Sequence, residues 1–313
     1  MTDQRNTFLI VLSFLVIYIV WGSTYLFLAF VVEVIPPFFA SFIRYGSAAL
    51  ILLALSLAFK QFKDVDYKKV KNSFLAGLLM LGIGAGLTSW VLQYLDSGFT
   101  ALLISAQPLI VVFMMWFDSG KRPASQIFMG VALGIIGIYL LVSQNEIVAH
   151  RDQWMAILVL VLCLIAWGIG SIFISKADMP KSFLVNTFIQ FTAGASLTFV
   201  FSLFSENIAE IDFMSIERTI YFYLIYLSIF GSVIAFLAFT YLLRNVSPDK
   251  VSTSTYVNPV IAVLLGWWFR DELLTTQTII AAAIMLTGVF LINFKLASLK
   301  RGLYIRLPKR KKL

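Results

Sequence analysis

Charge is scarce in this sequence. Only 13% of its 313 residues are Asp, Glu, Lys or Arg, while 60% are hydrophobic. A soluble protein of this size needs more charge to cover its surface. The composition therefore excludes a soluble globular fold and indicates a protein that lies in a lipid bilayer.

Cysteine and histidine occur once each, at Cys163 and His150. One cysteine excludes an intrachain disulfide, and one residue of each kind excludes a Cys/His metal cluster. The sequence also lacks a Gly-Lys-Ser/Thr loop that would hold nucleotide phosphates. We therefore expect no metal, no other cofactor and no direct use of ATP.

Ten long apolar segments follow one another along the chain, separated by charged residues. They are residues 8–32, 34–59, 72–95, 97–117, 123–145, 153–175, 182–205, 219–243, 251–269 and 273–294. A helix needs about 20 residues to cross the hydrocarbon core, whereas barrel strands would be half as long and would alternate in polarity. The sequence predicts an all-α integral membrane protein with ten transmembrane helices.

Lysine and arginine are distributed unequally between the predicted loops. If the N-terminus is cytoplasmic, the inner loops and the tail carry 20 of these residues and the outer loops carry 3. Positive residues accumulate on the cytoplasmic side, so both termini are predicted to be cytoplasmic, in a multi-pass protein of the cytoplasmic (inner) membrane. Anionic lipid headgroups are the expected partner of this charge. RNA binding by the tail "RLPKRKKL" is the less favoured alternative, and no nucleic-acid partner is predicted.

The Trp-Gly pair at Trp21 recurs at Trp167, 146 residues later, and "AQP" at 106–108 recurs as "VNP" at 257–259, 151 residues later. These repeats divide the chain into two five-helix halves, 8–145 and 153–294, followed by a basic cytoplasmic tail, 295–313. Because five is an odd number, the second half enters the membrane from the opposite side. The prediction is a pair of inverted repeats.

Both tryptophans lie near the middle of their segments, Trp21 as the fourteenth of 25 residues and Trp167 as the fifteenth of 23. This depth excludes the interfacial position that membrane tryptophans usually take. Inverted-repeat transporters bind their substrate near the midplane, between the repeats. The two Trp-Gly helices are therefore predicted to face each other across one central cavity.

Each half begins with a "WG" helix and has a proline in its fourth helix, within "SAQPLIVVF" and "TYVNPVIAVLLGWWF". This arrangement resembles the drug/metabolite transporter superfamily, and the opening "WGSTYLF…PPFFASFIRY" is most similar to its EamA-type members. The resemblance covers residues 8–294. It implies movement of small organic metabolites, often outward, across the cytoplasmic membrane. It implies no particular substrate, because the superfamily carries amino acids, nucleotide-linked compounds, sugars and drugs.

Polar and aromatic side chains at mid-depth are the candidates for substrate binding. Trp21, Thr24 and Tyr25 share one face of the first helix, and Trp167 and Ser171 lie four residues apart on the sixth. In one interpretation they line a cavity, with rings for apolar cargo and hydroxyls for its polar groups. In the other they pack helices together, with each hydroxyl bonded to the preceding turn.

Arg44 is the only charged residue within any predicted segment. An arginine that faces lipid at this depth costs about 2.5–3.5 kcal/mol on insertion scales. It either extends its long side chain to the outer interface or faces the bundle and attracts a carboxylate or phosphate. Gln190 is its mate in the second half. An unpaired interior cation favours anionic or zwitterionic cargo.

The prolines Pro108 and Pro259 are predicted to interrupt the fourth and ninth helices, each freeing a carbonyl one turn earlier. Gln107 and Asn258 precede them and are polar at depth. These amides either contact the ligand or bond neighbouring helices at a packed kink. Trp90 and Tyr256 are weaker candidates for substrate binding, as are Tyr94 and Tyr241, which lie near segment ends and also suit an interfacial position.

Gly130, Gly134 and Gly137 form a small-residue face on the fifth helix, which favours helix packing or a homodimer. The predicted function is secondary transport of a small organic metabolite, such as an amino acid or related compound, by an exporter or exchanger that works by alternating access. No predicted segment contains an acidic residue or histidine, so facilitated exchange or uniport is favoured over proton coupling.

Two alternatives to a transporter remain open. A channel would need a continuous polar lining, whereas the polar residues here converge at mid-depth. A membrane-embedded lipid-linked transferase would need clustered acidic residues to hold Mg²⁺, whereas the acidic residues of the inner loops are scattered. The prediction is therefore not an enzyme.

Overall fold

A computed structural model describes residues 2–120, 125–144, 150–246, 251 and 254–293, so the basic tail 295–313 lies outside the described residues. Within these ranges the chain forms helices and no strand, which confirms the predicted all-α fold. The ten helices are α1 Thr2–Val32, α2 Pro37–Ala58, α3 Tyr67–Val91, α4 Ser97–Ile104 with Gln107–Ser119, α5 Ser125–Val142, α6 Arg151–Lys176, α7 Phe183–Ser205, α8 Arg218–Tyr226 with Leu227–Ile234 and Ala235–Asn245, α9 Ser254–Arg270 and α10 Thr276–Asn293.

The helices have the length and polarity that a bilayer requires. Helices α1 to α8 are each long and apolar enough to cross a membrane. The last two, α9 and α10, are apolar helices of 17 and 18 residues in the described part of the chain. The chain is therefore a multi-pass membrane protein with the predicted set of helices.

Local sequence signals explain several helix ends. The Asp66 carboxylate accepts a hydrogen bond from the backbone N–H of Lys69 (2.9 Å), so it caps α3. Helix α2 begins at Pro37, where the missing N–H would have no partner in any case. Gly120, with φ 65°, ends α4 in the left-handed conformation that glycine adopts without strain.

Helix α4 is broken between Ile104 and Gln107, one turn before Pro108. Proline has no N–H, so Pro108 cannot donate to the carbonyl of Ile104 and continue the helical hydrogen bonds. Within the break, the Ser105 hydroxyl donates to the carbonyl of Leu102 (2.6 Å). Helix α9, by contrast, runs without a break through Pro259. Pro108 thus follows a break in its helix, whereas Pro259 lies within a continuous helix.

Two of the helices contain a wide π-helical stretch, Leu78–Ala85 in α3 and Leu227–Ile234 in α8. The stretches begin 149 residues apart, so they are equivalent in the two halves. Such stretches are rare and occur frequently at functional sites. The stretch in α3 packs against the Trp-Gly helix of the other half, and the stretch in α8 contacts both the Trp-Gly helix α1 and α2.

The two halves are interleaved rather than side by side. Helix α1 packs mainly against α8 and α9 of the second half, and its mate α6 packs against α3 and α4 of the first half. The remaining large contacts between halves join α2 to α7, α5 to α10, α3 to α7, α8 to α2 and α4 to α9. If each helix is replaced by its equivalent in the other half, the same list of contacts results, as expected for two copies of one repeat.

These contacts define two bundles of three helices, α1/α8/α9 and α3/α4/α6, with α2/α7 at one edge and α5/α10 at the other. The bundles meet chiefly through Ser97–Ile104 of α4, which packs against both α9 and α1. The second segment of α4, Gln107–Ser119, packs instead against α6 and α10. Contact between the bundles is therefore concentrated at the end where α4 begins, which the charge distribution predicts to be outside.

The glycine face of α5 is filled within the chain by α10. A Cβ added to Gly130 would lie 2.6 Å from the carbonyl oxygen of Gly288, and a Cβ added to Gly137 would lie 2.9 Å from the backbone nitrogen of Met285. Only glycine permits backbones to approach this closely. Helix packing is thus the role that this face has in the structure.

Candidate functional site

Trp21 is partly buried and has a hydrogen-bond acceptor within the protein. Its indole Nε1 donates to the carbonyl oxygen of Gly231 in the π-helical stretch of α8 (3.2 Å). The ring also packs edge-on against Phe236, with 5.5 Å between ring centroids. A buried indole N–H requires such a partner, so the polar end of Trp21 is satisfied by the backbone of the opposite half.

Arg44 projects from α2 toward the same stretch of α8. Its Nε donates to the hydroxyl of Ser232 (3.1 Å), and its guanidinium carbon lies 5.5 Å from the ring centroid of Tyr45. Tyr25 of α1 lies within electrostatic range of the guanidinium. Among the described residues no carboxylate forms a salt bridge with Arg44. Within the described part of the chain, the structure therefore places Arg44 beside hydroxyls and aromatic rings, without an acidic partner.

The candidate hydroxyls are bonded to their own helices. Thr24 donates to the carbonyl of Trp21 (2.7 Å), and Ser171 donates to the carbonyl of Trp167 (2.8 Å). The Ser23 hydroxyl lies 2.8 Å from that of Tyr226, which joins α1 to α8. These bonds satisfy the hydroxyls within the protein. Arg44 differs from them, because it is charged and its bond to Ser232 uses only one of its five N–H donors.

The equivalent region of the second half carries no charge. Trp167 packs against Gly84 in the π-helical stretch of α3, where an added Cβ would lie 3.2 Å from the indole ring. Gln190, the mate of Arg44, is buried and its Nε2 donates to Asn186 Oδ1 (3.2 Å). Asn186 in turn accepts a hydrogen bond from Ser73 (2.7 Å). Gln190 thus belongs to the α3–α7 contact, whereas Arg44 reaches across to α8.

Gln107 and Asn258 form equivalent hydrogen bonds between the two halves. Gln107 Nε2 donates to the carbonyl of Leu164 on α6 (3.0 Å). With its amide nitrogen directed toward α1, Asn258 donates to the carbonyls of Ile17 (3.2 Å) and Tyr18 (3.3 Å). Tyr18 and Leu164 each lie three residues before a Trp-Gly pair. In this structure the two amides hold the Trp-Gly helices against α9 and α4.

Trp90 and Tyr256, the weaker candidates, also have protein partners. The Trp90 ring lies 4.7 Å from that of Tyr94, which lies in the turn just after α3. The Tyr256 hydroxyl donates to the carbonyl of Val289 on α10 (3.0 Å). Neither side chain is brought into the group around Arg44 by the contacts described.

A groove of about 740 Å³ lies between α2 and α7, away from this cluster. Its lining combines the small residues Gly46, Ala49 and Ala195 with aromatic and aliphatic side chains such as Phe42 and Phe199. Its hydroxyls are bonded to their own helices, as for Ser47 with the Ile43 carbonyl (2.6 Å). A polar substrate would gain little in this groove, so we place the candidate site at Arg44.

The sequence analysis missed Gly231 and Ser232, which supply the acceptor for Trp21 and the partner for Arg44. A signal for them existed, because Gly231 follows Gly84 by 147 residues, close to the 146 that separate the two tryptophans. The π-helical stretches had no comparable signal. Their sequences, "LLMLGIGA" and "LSIFGSVI", have the composition of ordinary transmembrane helices.

Two interleaved halves built from apolar helices of membrane-spanning length are the architecture of a membrane transporter. The chain belongs to the EamA-like transporter family, whose model matches residues 8–143 and 154–294. The uncharacterized inner membrane transporter YedA of Escherichia coli (strain K12) is 32% identical over 279 residues, which cover 88% of each chain. The uncharacterized transporter YoaV of Bacillus subtilis (strain 168) is 22% identical over 289 residues, covering 91% of this chain and 97% of the relative.

A protein of known crystal structure has a similar fold. It superposes with a TM-score of 0.62 over 90% of this chain and 94% of its own, at 17% sequence identity. At this identity the similarity concerns the fold alone.

Proposed function

We propose that this protein is a secondary transporter for a small organic metabolite that carries an acidic group, such as an amino acid. In this proposal Arg44 binds the acidic group, and the substrate leaves the cell by export or exchange. The observation that carries the proposal is the Arg44 guanidinium, held by Ser232 and unpaired with any carboxylate in the described residues.

The energetics of Arg44 support this assignment. A charged side chain in the membrane is costly unless it pairs or faces a polar space. A neutral serine hydroxyl occupies one of its five N–H donors. A substrate carboxylate offers two oxygens to the rest of the guanidinium, in the bidentate geometry that arginine prefers. Binding the substrate would thus supply the missing counter-charge.

The arrangement of the helices supports alternating access as the mechanism. The two three-helix bundles, α1/α8/α9 and α3/α4/α6, meet mainly at one end. Inverted repeats provide a second state in which the two halves exchange conformations, so that the bundles meet at the opposite end. The break in α4 and the continuous α9 are a difference of this kind between equivalent helices.

The proposed orientation has both termini in the cytoplasm of a cell whose inner membrane holds the protein. In single-cysteine variants that also carry Cys163→Ala, we expect an impermeant thiol reagent added to intact cells to label His150→Cys and to spare Lys68→Cys. Both positions are exposed on the protein, so accessibility differs only by the side of the membrane. Labelling of position 68 with sparing of position 150 would reverse the topology.

A ligand screen tests the substrate class directly. Thermal unfolding of the purified protein is measured against a library of amino acids, other carboxylates and uncharged analogues. A ligand that binds the native state raises the apparent stability, and we expect acidic-group compounds to do so in the wild type but not in Arg44→Gln. Stabilisation by uncharged compounds alone, equal in both proteins, would contradict the proposed substrate class.

A further inference from the structure

Glu272, just after α9, caps the beginning of α4. Its two carboxylate oxygens accept hydrogen bonds from the backbone N–H groups of Ser97 (2.7 Å) and Gly98 (2.8 Å). The first N–H groups of a helix have no partner within that helix, and a negative charge is favourable at this end. The Glu272 side chain is only 7% exposed, so the cap is shielded from water.

This cap joins the two bundles at the end where they meet. Ser97 and Gly98 belong to α4 of one bundle, and Glu272 is attached to α9 of the other. The helices approach very closely here, because a Cβ added to Gly98 would lie 2.8 Å from the Cα of Val263. Separation of the bundles at this end requires the hydrogen bonds of Glu272 to break.

Other charges surround the cap. Arg270 donates to Glu272 (3.4 Å) and forms a salt bridge with Glu33 at the end of α1. Asp96 immediately precedes α4, and Asp271 is exposed beside Glu272. Burial raises the pKa of Asp96, the negative charge of Glu272 raises it further, and Arg270 acts in the opposite direction. The closed arrangement thus brings two carboxyl groups together, and the cap bonds offset their repulsion.

The chain contains a second cap of the same chemistry in a different place. Glu206, after α7, accepts hydrogen bonds from the backbone N–H groups of Phe38 (2.7 Å) and Phe39 (2.9 Å) at the beginning of α2. Helices α2 and α7 form the edge pair outside the two bundles. Glu206 therefore stabilises one packed pair, whereas Glu272 bridges the bundles.

We propose that Glu272 is the latch of an outer gate. Its carboxylate holds the start of α4 against α9 while the outer end is closed, and it releases α4 when the site opens outward. Glu272 is thus a positioning residue that sets the balance between the two states and does not contact the substrate. This inference rests on the proposed alternating-access function and on the proposed orientation.

The test measures access from outside to a cysteine placed beneath the latch. Thr100 suits this purpose because it is fully buried on α4 and its hydroxyl has no hydrogen-bond partner among the described residues. The background is Thr100→Cys with Cys163→Ala, and the reagent is a membrane-impermeant maleimide added to intact cells. Glu272→Gln keeps the shape of the side chain, removes its charge and turns an N–H donor toward the helix end.

We expect Glu272→Gln to raise the labelling rate at least tenfold, equivalent to a shift of about 1.4 kcal/mol toward the open state. Glu272→Asp, which keeps the charge but is one CH₂ shorter, should give a smaller rise. Glu206→Gln should stay within twofold of the background and lower the thermal stability instead. Both glutamine variants lose a carboxylate cap of the same kind, so a difference between their labelling rates reflects where the cap lies in the fold.

An unchanged labelling rate in correctly folded Glu272→Gln, judged by size-exclusion chromatography, would overturn the latch. So would an equal increase in Glu206→Gln, since it would reflect general loosening. If Glu272→Gln does not fold, the labelling rate of Glu272→Asp is used instead: a raised rate supports the latch and an unchanged rate overturns it. Labelling requires no substrate, so a wrong latch proposal can be distinguished from a wrong transport proposal. The same labelling in inside-out vesicles shows whether the protein has the opposite orientation in the membrane.

Discussion

Replacing Arg44 by glutamine is expected to reduce transport of the acidic-group substrate tenfold or more. Glutamine is the residue at the equivalent position in the second half, Gln190, so the change keeps polarity and removes the charge. A tenfold loss corresponds to about 1.4 kcal/mol, which is modest for a hydrogen bond to a charged group. Arg44→Lys should recover part of the activity, because lysine keeps the charge without the bidentate geometry.

The measurement is initial transport rate in reconstituted vesicles at matched protein levels. Arg151→Gln serves as the control, because Arg151 is an exposed arginine at the start of α6, far along the chain from the cluster. It removes the same charge and should leave transport unchanged. Near wild-type transport by Arg44→Gln, for both charged and neutral compounds, would exclude Arg44 from substrate binding.

Gly288→Ala is expected to destabilise the folded protein strongly. The added Cβ would lie 2.6 Å from the carbonyl oxygen of Gly130 and 2.7 Å from the backbone nitrogen of Gly134. Both are backbone atoms, so α5 and α10 must move apart to admit one methyl group. Overpacking of this kind costs roughly 1–3 kcal/mol, and the thermal unfolding midpoint in detergent should fall by several degrees.

Gly46→Ala is the matched control for this prediction. Gly46 also lies within a transmembrane helix, but its added Cβ would approach only the Phe42 ring of the same helix, at 3.9 Å. It faces the open groove between α2 and α7, and alanine is the better helix former. Its midpoint should be unchanged or slightly raised. Equal midpoints for the two variants would show that the α5–α10 contact does not depend on glycine.

The interpretation of individual polar residues shows where sequence reasoning ends. For Thr24 and Ser171, cavity lining and bonding to the preceding turn were equally compatible with the sequence, because both need only a hydroxyl on a helix. In the structure both hydroxyls donate to a carbonyl of their own helix. Gln107 and Asn258 likewise had two interpretations, and their carbonyl partners lie in the opposite half of the chain.

The caps formed by Glu206 and Glu272 had no signal in the sequence. Each carboxylate lies 167 or more residues from the N–H groups that it binds, since Glu206 bonds Phe38 and Phe39 and Glu272 bonds Ser97 and Gly98. Nothing in the sequence between them indicates which helix start will lie beside which helix end. Only the interleaving of the halves brings them together, and that interleaving also makes Glu272 bridge the two bundles while Glu206 does not.

The sequence by itself determined that this protein lies in a membrane, that it has ten helices and that it contains two related halves. These properties depend on the length and polarity of single segments, because each transmembrane helix satisfies its own backbone hydrogen bonds. Only the tertiary structure decided that α1 packs with the second half, that the π-helical stretch of α8 bonds Trp21 and Arg44, and that Glu272 caps the beginning of α4. Those contacts depend on which helix faces meet, and helix faces in lipid are too uniformly apolar for the sequence to specify their neighbours.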